Sequence, residues 1–339
     1  MKGLRFLGNS KLELTDLPDP VVGEGDVLCR VKTSAICGSE METFPAETPL
    51  EGNPGHEVMG IVEDPNGSKR FHKGDRVGIS TIQGCGSCFW CRQGKQIFCK
   101  DAGVVKNAHS EYVVSKDVWL HPLDDDIDNA VAVLISGDGL GVPYGSTMRS
   151  GVQAGDVTCV YGAGPVGLGM TLLQTYLGAR VIAVDINPHA LERAKTCGAW
   201  KIINPKETED IEAIILDLTE GLGPNKSFDA CGNQDMFNVA METTIPGGTI
   251  VTVAHGEHGI DEVRQRLSFR VKNGKVDGRN LTIIGNWLCY FSDFENMRNL
   301  VRNGLQVNLM VTNQFPIEQA PEAYRRVAQG LEGKVMLTQ

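Results

Sequence analysis

The sequence lacks long apolar runs, an excess of basic residues and internal repeats. No apolar run approaches the roughly 18 residues that a membrane-spanning helix needs. Acidic residues outnumber basic ones, 42 against 32, and the formal net charge is −10. This balance argues against nucleic acid or an anionic membrane as a partner. With 41% apolar and 22% charged residues, the composition is that of an ordinary globular protein.

The length and the first residues set expectations for domain number and location. A chain of 339 residues is long enough for about two domains, at roughly 150 residues each. The opening segment, MKGLRFLGNSKLELTD, is too polar in its centre for a signal peptide. We therefore expect a cytoplasmic protein.

Two parts of the chain differ in the spacing of their apolar residues. Up to about residue 147, short apolar runs such as Val27–Val31 alternate with turn residues, which is typical of a β-rich, partly barrel-like region. From about residue 155, strand-like runs alternate with helical stretches, and this pattern predicts a parallel sheet covered by helices on both faces. The run Leu281–Trp287 is expected to return to the β-rich part.

A glycine-rich turn follows the strand-like run Val157–Tyr161 and opens a helical stretch. In this position Gly162 permits a tight turn, Gly164 lets the backbone approach a pyrophosphate, and Gly167 lets helix and strand pack closely. Asp185 ends the next strand-like run, where a carboxylate can bind the ribose diol of NAD and would repel the 2′-phosphate of NADP. Glycine turns are common in α/β proteins, but strand, turn, helix and terminal acid agree in this segment, so we predict an NAD-binding domain.

Four of the ten cysteines, Cys85, Cys88, Cys91 and Cys99, lie within fifteen residues. Two-residue spacings let a folded loop direct sulfur atoms at one tetrahedral zinc ion, and four thiolates make a closed, structural site. A disulfide is unfavourable in the cytoplasm, a ferredoxin-type cluster would have a proline after its last cysteine, and a nucleic-acid zinc ribbon would have basic surroundings. Packed core thiols are the other alternative. We predict a structural zinc in a lobe over residues 84–100.

Three further residues, Cys37, His56 and Asp138, are of types that bind zinc. A lone cysteine or histidine is more often a packed core residue, and an aspartate between glycines more often belongs to a turn. Composition and spacing alone do not bring these three residues together.

Several motifs occur together in one order, and with them the chain resembles a known family. They are Cys37-Gly38-Ser39, Gly55-His56-Glu57-x-x-Gly60, Lys73-Gly74-Asp75-Arg76-Val77, the four-cysteine lobe, Gly162-Ala163-Gly164-Pro165-Val166-Gly167 and Asp185. Over essentially its whole length the chain resembles the zinc-dependent alcohol and polyol dehydrogenases of the medium-chain dehydrogenase/reductase superfamily. The resemblance implies an α/β protein with a GroES-like β-rich catalytic domain over residues 1–147 and 285–339. A doubly wound parallel-sheet Rossmann domain would bind NAD over residues 148–284.

The resemblance also implies roles for individual residues. Cys37, His56 and Asp138 would hold a catalytic zinc whose fourth position is open. The family's third ligand is Cys, Glu or Asp, and Asp138 is assigned because it precedes a Gly-Tyr-Gly-Ser-like segment. Glu57 matches a carboxylate that lies near the metal and can enter its shell during ligand exchange. Ser39 matches the hydroxyl that takes the proton from the substrate oxygen.

Other residues carry over with departures from the family pattern. Pro165 and Val166, inside the glycine turn, would contact NAD. Asp229 matches an acidic residue on the fourth strand of the NAD-binding domain, where capping a turn is an equal alternative. Glu40 stands where the family has an aspartate that orients the ligand histidine. Glu42 replaces a relay histidine, so it is either a proton relay or a solvated surface residue.

The function implied is that of a zinc- and NAD-dependent alcohol dehydrogenase with two zinc ions per subunit. Zinc would lower the pKa of the alcohol, and the nicotinamide would accept the hydride, giving an aldehyde or ketone. The substrate would be a primary or secondary alcohol, or a polyol or sugar, and the assembly a homo-oligomer, either dimer or tetramer. One alternative is a zinc-free quinone or enone reductase of the same superfamily, in which loss of Cys37, His56 and Asp138 would be expected. The other alternative is a non-catalytic NAD-binding protein.

Overall fold

The computed structural model describes residues 1–253 and 277–339. These residues form two compact units. The first unit joins Met1–Gly141 to Leu288–Gln339, and the second is Val142–Trp287. The domain limits expected from the sequence, after residues 147 and 284, stay a prediction.

Both units combine strands with helices in the described residues. The strands are β1 (Lys2–Gly8), β2 (Lys11–Asp16), β3 (Asp26–Ile36), β4 (Glu57–Asp64), β5 (Arg76–Ile79), β6 (Ile82–Gln83), β7 (Gly103–Val104), β8 (Tyr112–Lys116), β9 (Leu120–Pro122), β10 (Val157–Tyr161), β11 (Arg180–Val184), β12 (Lys201–Ile203), β13 (Lys226–Asp229), β14 (Thr249–Thr252), β15 (Thr282–Gly285), β16 (Val311–Pro316) and β17 (Lys334–Thr338). The α-helices are α1 (Glu40–Thr43), α2 (Phe89–Arg92), α3 (Asn129–Ser136), α4 (Asp138–Ser150), α5 (Pro165–Tyr176), α6 (Pro188–Thr196), α7 (Ile211–Leu218), α8 (Gln234–Thr243), α9 (Phe294–Arg302) and α10 (Ala320–Ala328). Among these helices, none combines the length and the apolar character that crossing a bilayer requires.

The first unit is built around a sheet whose strands run in the order β16-β17-β3-β4-β5-β9, with β8 also paired to β3. The long strand β3 is central because β17, β4 and β8 all pair with it in antiparallel fashion. Its buried apolar residues join those of β4 and β5 in one core, whose members include Val31, Val58 and Ile79. The core fixes the register of these strands, since a one-residue slip would turn buried side chains outward.

This register brings distant residues to one end of the sheet. Ala35, near the end of β3, pairs with Glu57 at the start of β4. Val335, at the start of β17, pairs with Ile36 on the other side of β3. The helix α3 packs against β3, β4 and β5, and its end leads directly into Asp138. The end of β3, the start of β4, the start of β17 and the start of α4 therefore meet at one place.

The described part of the second unit contains a parallel sheet in the order β12-β11-β10-β13-β14-β15. Numbered along this unit, the order is 3-2-1-4-5-6, which is that of a doubly wound dinucleotide-binding sheet. The run Leu281–Trp287 was expected to return to the β-rich part, and this is wrong. Its strand, β15, pairs in parallel with β14 through Ile250 and Ile283, because both belong to the apolar core of this sheet.

Candidate active site

The structure brings Cys37, His56, Glu57 and Asp138 together. One ligand atom of each residue lies within 4.8 Å of those of the others. Cys37 and Asp138 are half-buried, and His56 and Glu57 are buried. Thiolate, imidazole and carboxylate at this spacing form a donor set that zinc accepts.

The ring of His56 is oriented by the backbone. Its Nδ1 lies 2.9 Å from the carbonyl oxygen of Pro54, so Nδ1 carries the proton and Nε2 is left to face the cluster. Nε2 lies 3.6 Å from Oδ2 of Asp138. Burial alone would lower the pKa of His56, but hydrogen bonds and charges from Asp138 and Cys37 raise it to about 12. The cluster thus stabilises positive charge at its centre, which fits a metal cation.

Glu57 is held by a residue that sequence reasoning missed. Its Oε1 accepts from Nζ of Lys334 at the start of β17, and both side chains are almost completely buried. Burial alone would lower the pKa of Lys334, but the charges of Glu57 and the neighbouring ligand residues raise it. Among the described residues, Oε2 of Glu57 has no hydrogen-bond partner although it is buried. A buried carboxylate oxygen without a partner is costly, and its place in the cluster fits a nearby metal. A lysine at the first position of the strand Lys334–Thr338, directly before its apolar residues, was the available signal.

Glu40, which replaces the family's aspartate, makes its hydrogen bonds to residues other than the ligand histidine. Its Oε1 accepts from the backbone N–H of Cys37 at 2.9 Å, and its Oε2 lies 3.1 Å from Nε2 of His109 and also accepts from the hydroxyl of Tyr324. Burial alone would raise the pKa of Glu40, but His109, His56 and these hydrogen bonds lower it to about 2. The partner of His56 Nδ1 is the carbonyl oxygen of Pro54 instead.

Ser39 lines a cavity of about 940 Å³ in the first unit, together with His56. Ser39 is exposed, and its hydroxyl makes no cap to the helix α1, so the hydroxyl is available to this cavity. Glu42 is exposed and is absent from the cavity lining, which favours the surface alternative for this residue. Thr81 is buried and its Oγ1 donates to the carbonyl oxygen of His56 at 3.3 Å, so it supports the ligand from behind.

The four-cysteine lobe is folded as one cluster. The Sγ atoms of Cys85, Cys88, Cys91 and Cys99 lie within 4.8 Å of one another. The backbone N–H of Cys85 donates to Sγ of Cys99, and the backbone N–H of Cys88 donates to Sγ of Cys85, each at 3.4 Å. A Cβ at Gly84 would lie 2.5 Å from Sγ of Cys91, so glycine is required there by close approach of the backbone. All ten cysteines lie in the described residues and none forms a disulfide.

The thiols of this lobe differ in acidity. Hydrogen bonds from the backbone of Ser87 and Cys88 lower the pKa of Cys85 to about 6. Burial raises the pKa of Cys91 to about 12. Four thiols this close can all be ionised only beside a cation, because like charges raise one another's pKa. The lobe therefore fits a closed zinc site.

The glycine turn after β10 has the predicted conformation. Gly162 has φ of +98°, and a Cβ at Gly167 would lie 1.8 Å from the carbonyl oxygen of Gly162. A Cβ at Gly164 would meet no described atom within 4 Å, so packing does not require glycine there and the space is open to a ligand. Pro165 and Val166 begin α5 without a side-chain cap. Unbonded N–H groups at a helix start bind phosphate well.

The two acidic residues of this unit differ in their contacts. Asp185 accepts from the N–H of Ala163 at 2.7 Å and from that of Asn187 at 2.8 Å, so it lies beside the glycine turn. Asp229 is fully buried, and burial raises its pKa. It accepts from the N–H groups of Cys231 and Gly232 and from the hydroxyl of Thr252. These bonds favour the turn-capping alternative for Asp229, and its contact with NAD stays a prediction.

Comparison with known proteins decides the family. The model of the alcohol dehydrogenase GroES-like domain matches residues 23–125, and that of the zinc-binding dehydrogenases matches residues 165–303. An uncharacterized zinc-type alcohol dehydrogenase-like protein of Escherichia coli K12, YphC, is 31% identical over 97% of this chain and 96% of its own length. The chain belongs to the zinc-type alcohol dehydrogenase family.

Other proteins are similar to this chain to a comparable degree. The L-threonine 3-dehydrogenase of Anaeromyxobacter sp. is 29% identical, covering 95% of this chain and 94% of that protein. The structure of the alcohol dehydrogenase TADH from Thermus sp. ATN1 has a TM-score of 0.89 at 27% identity, covering 100% and 99%. The predicted fold class and the prediction of an oxidoreductase acting on CH–OH groups are confirmed. Zinc and NAD as cofactors are confirmed at the level of the family.

Proposed function

We propose that this member of the family transfers hydride between a small hydroxylated substrate and NAD at the site formed by Cys37, His56 and Asp138. The observation that carries the proposal is the convergence of these three side chains, far apart in sequence, within 4.8 Å of one another. The buried Oε2 of Glu57 at the same place, without a hydrogen-bond partner among the described residues, supports a cation there.

The donor set balances the charge of one zinc ion. Thiolate Cys37 and carboxylate Asp138 together carry two negative charges, His56 is a neutral ligand, and Lys334 neutralises Glu57. With three protein ligands, one position stays open for the substrate oxygen. When bound there, zinc supplies a Lewis acid that lowers the pKa of the alcohol.

Ser39 and Glu57 complete the proposed site. Ser39 takes the proton from the substrate hydroxyl, which its exposure to the cavity beside His56 supports. Glu57 stays tethered to Lys334 during the reaction through Oε1, and one of its carboxylate oxygens lies within 4.8 Å of the ligand atoms. Thr81 donates to the carbonyl oxygen of His56 and keeps that ligand in place.

The cofactor is proposed to bind at the glycine turn of the second unit. The N–H groups at the start of α5, including those of Val166 and Gly167, bind its pyrophosphate, and the absence of a Cβ at Gly164 leaves room for it. Asp185 binds the ribose diol, which its position beside Ala163 supports. The nicotinamide supplies the hydride acceptor.

A second zinc is proposed in the four-cysteine lobe, giving two zinc ions per chain. Four thiolates leave no open position, so this ion stabilises the loop and takes no part in the reaction. The N–H donors to Sγ of Cys85 and Cys99 support thiolates at these positions.

The class of substrate is proposed from a relative. The relative from Anaeromyxobacter is named for L-threonine, a secondary alcohol that also carries an amino and a carboxylate group. We propose a secondary alcohol of this kind, or a polyol or sugar, ahead of simple primary alcohols. A homo-oligomer and a cytoplasmic location stay predictions.

The test combines metal content with turnover. We expect about two zinc ions per purified chain by elemental analysis, and NADH formation from at least one member of a panel of primary alcohols, secondary alcohols, polyols, sugars and L-threonine. One zinc without turnover would favour the non-catalytic NAD-binding protein. One zinc, no NADH formation from these alcohols, and oxidation of reduced nicotinamide cofactor by a quinone or enone would favour the zinc-free reductase.

A change of cofactor preference tests the proposed role of Asp185 in the second unit separately. Replacing Asp185 by serine should relax the preference for NAD over NADP by about tenfold or more, because the carboxylate would no longer repel the 2′-phosphate. The ratio of kcat/KM for the two cofactors measures this. An unchanged ratio would show that another group reads the ribose.

A further inference from the structure

A buried polar group joins the two ligand-bearing segments of the proposed metal site. It consists of Glu40, His109, Tyr324 and Ser34, and all four side chains are buried. The carboxylate of Glu40 accepts from the N–H of Cys37 at 2.9 Å, from Nε2 of His109 at 3.1 Å and from the hydroxyl of Tyr324. Nδ1 of His109 lies 2.8 Å from Oγ of Ser34 on β3.

The contact of Glu40 with Cys37 is reciprocal. The N–H of Glu40 donates to the carbonyl oxygen of Cys37 at 3.1 Å, while its side chain accepts from the N–H of Cys37. Both backbone groups of Cys37 are thus bound to one residue, whose own carboxylate is fixed by His109 and Tyr324. Displacing this carboxylate would release the backbone that carries the thiolate.

His109 also contacts the second ligand segment. A Cβ at Gly55 would lie 2.5 Å from Cδ2 of His109, so the ring lies flush against the backbone that precedes His56. Asn53 ties the same segments, since its Oδ1 accepts from the N–H groups of Gly55 and of His109, at 3.3 and 3.1 Å. The ring therefore links the carboxylate that holds Cys37 to the backbone that precedes His56.

We infer that Glu40 and His109 are positioning residues for the metal site, holding the backbones of Cys37 and His56 at the spacing that one metal ion requires. The inference rests on the proposed function, because it takes Cys37 and His56 as ligands. A buried carboxylate is stable only when its hydrogen bonds are satisfied. Since carboxylate oxygens only accept, Nε2 of His109 carries the proton of this bond. Groups of this kind commonly change metal affinity by 10–100-fold when removed.

The test compares zinc affinity in variants of the zinc-loaded, full-length protein by competition with a chelator. The wild type should release zinc in two steps, and the step that Asp138→Ala abolishes belongs to the Cys37 site. His109→Leu should weaken that step by about 10–100-fold and leave the other unchanged. His109→Gln keeps an N–H donor near the position of Nε2 and should restore most of the affinity.

A matched variant separates positioning from general stability. Phe6 packs edge-to-face on Tyr324, with ring centroids 5.3 Å apart, and forms no part of the Glu40 network. Phe6→Leu should lower the free energy of unfolding and leave zinc affinity at the Cys37 site unchanged. Equal weakening of zinc affinity by Phe6→Leu and His109→Leu would overturn the inference.

A spectroscopic readout follows the thiolate directly. With cobalt in place of zinc, the difference spectrum between the wild type and Asp138→Ala should isolate the thiolate-to-cobalt absorption of Cys37. His109→Leu should shift or weaken this band. An unchanged band together with unchanged zinc affinity would overturn the inference.

Two further outcomes are distinguishable. If His109→Leu does not fold, Glu40→Gln and Tyr324→Phe carry the same test, and unchanged zinc affinity in both would overturn the inference. A wild type that binds only one zinc ion would refute the proposed function as well. If the wild type releases zinc in two steps and His109→Leu has unchanged zinc affinity at the Cys37 site, the inference is refuted and the proposed function is not.

Discussion

The two candidate zinc sites differ in how the chain assembles them. In the four-cysteine lobe, all ligands lie between Cys85 and Cys99, and turns with glycines at positions 84, 86 and 94 set their spacing. At the other site, Cys37, His56 and Asp138 come from the ends of three different elements. One site is a local loop structure, and the other exists only when the sheet of the first unit is formed.

The sites also differ in the polar groups around them. The lobe is supported by backbone N–H groups that donate to sulfur and by packing of Trp119, whose Nε1 donates to the carbonyl oxygen of Gly84. The Cys37 site is surrounded by charged side chains that are themselves buried, among them Glu57 paired with Lys334 and Glu40 bound to His109. Backbone N–H groups therefore stabilise the closed site, whereas buried charged side chains surround the site with an open position.

The sharpest contrast is in activity. Asp138→Ala should lower kcat/KM by about 10⁴-fold or more, roughly 5 kcal/mol, because it removes one ligand and one of the two negative charges that balance zinc. The free energy of unfolding should change little. Steady-state kinetics and urea unfolding of the same preparation check this, and loss of stability in proportion to activity would contradict the distinction between the sites.

The buried ion pair should be the most sensitive structural feature of the open site. Lys334→Met should lower the free energy of unfolding by about 3–5 kcal/mol, since removing one partner leaves a buried charge uncompensated. Combining it with Glu57→Gln should recover part of this loss. Lys32→Met is the matched control, because Lys32 donates to the carbonyl oxygen of Gln339 in a half-buried position and its loss should change stability by less than about 1 kcal/mol. If Lys334→Met were as stable as the wild type, Lys334 would not be needed to balance the charge of Glu57.

A mutation in the closed site should have effects opposite to those of Asp138→Ala, lowering stability and sparing activity. Cys91→Ala should lower stability by about 3 kcal/mol, because metal binding to a structural site contributes folding energy. Zinc content should fall by one ion per chain. Folded Cys91→Ala protein that keeps zinc at the Cys37 site should have the kcat of the wild type. Thermal unfolding with elemental analysis measures both quantities, and loss of kcat without loss of stability would reverse the assignment of the two sites.

A buried histidine among the aromatic residues beside the lobe should make the stability of the protein depend on pH. His121 is stacked between Phe291 and Phe294, with ring centroids 4.1 Å apart in both pairs, and Phe291 also packs edge-to-face on Trp119. Burial, with smaller contributions from the charges of two nearby arginines, lowers the pKa of His121 to about 3.

Below a pH of about 6.5 the unfolded chain binds a proton at His121 that the folded protein does not bind. Stability should therefore fall as the pH falls, by about 2 kcal/mol between pH 7 and pH 5 from this residue alone. His121→Phe should remove this contribution of His121 to the pH dependence of stability. Urea unfolding of both proteins at the two pH values measures it, and identical pH dependence would show that His121 is not protected from protonation.

The chemistry-bearing motifs could be predicted from the sequence where the residues act through local geometry. The glycine turn at Gly162 and the four-cysteine lobe have the conformations that their spacing indicates, because each is decided within about fifteen residues of chain. For Cys37, His56 and Asp138, spacing offered no reason to expect contact, and only the resemblance to a family brought them together. The partner of Glu40 was left open by the sequence, since choosing between His56 and His109 depends on the packing of two strands and a loop.

Side-chain chemistry and neighbours along the chain were enough to establish the types of ligand available, the alternation of strands and helices in the second unit and the local turns. Packing in three dimensions was needed to pair Lys334 with Glu57, to place Tyr324 and His109 against Glu40, and to add β15 to the parallel sheet. The side-chain contacts among these join residues 69 to 284 positions apart. A buried charge or a strand edge is satisfied by whichever partner the folded core places beside it, and neither composition nor periodicity records that placement.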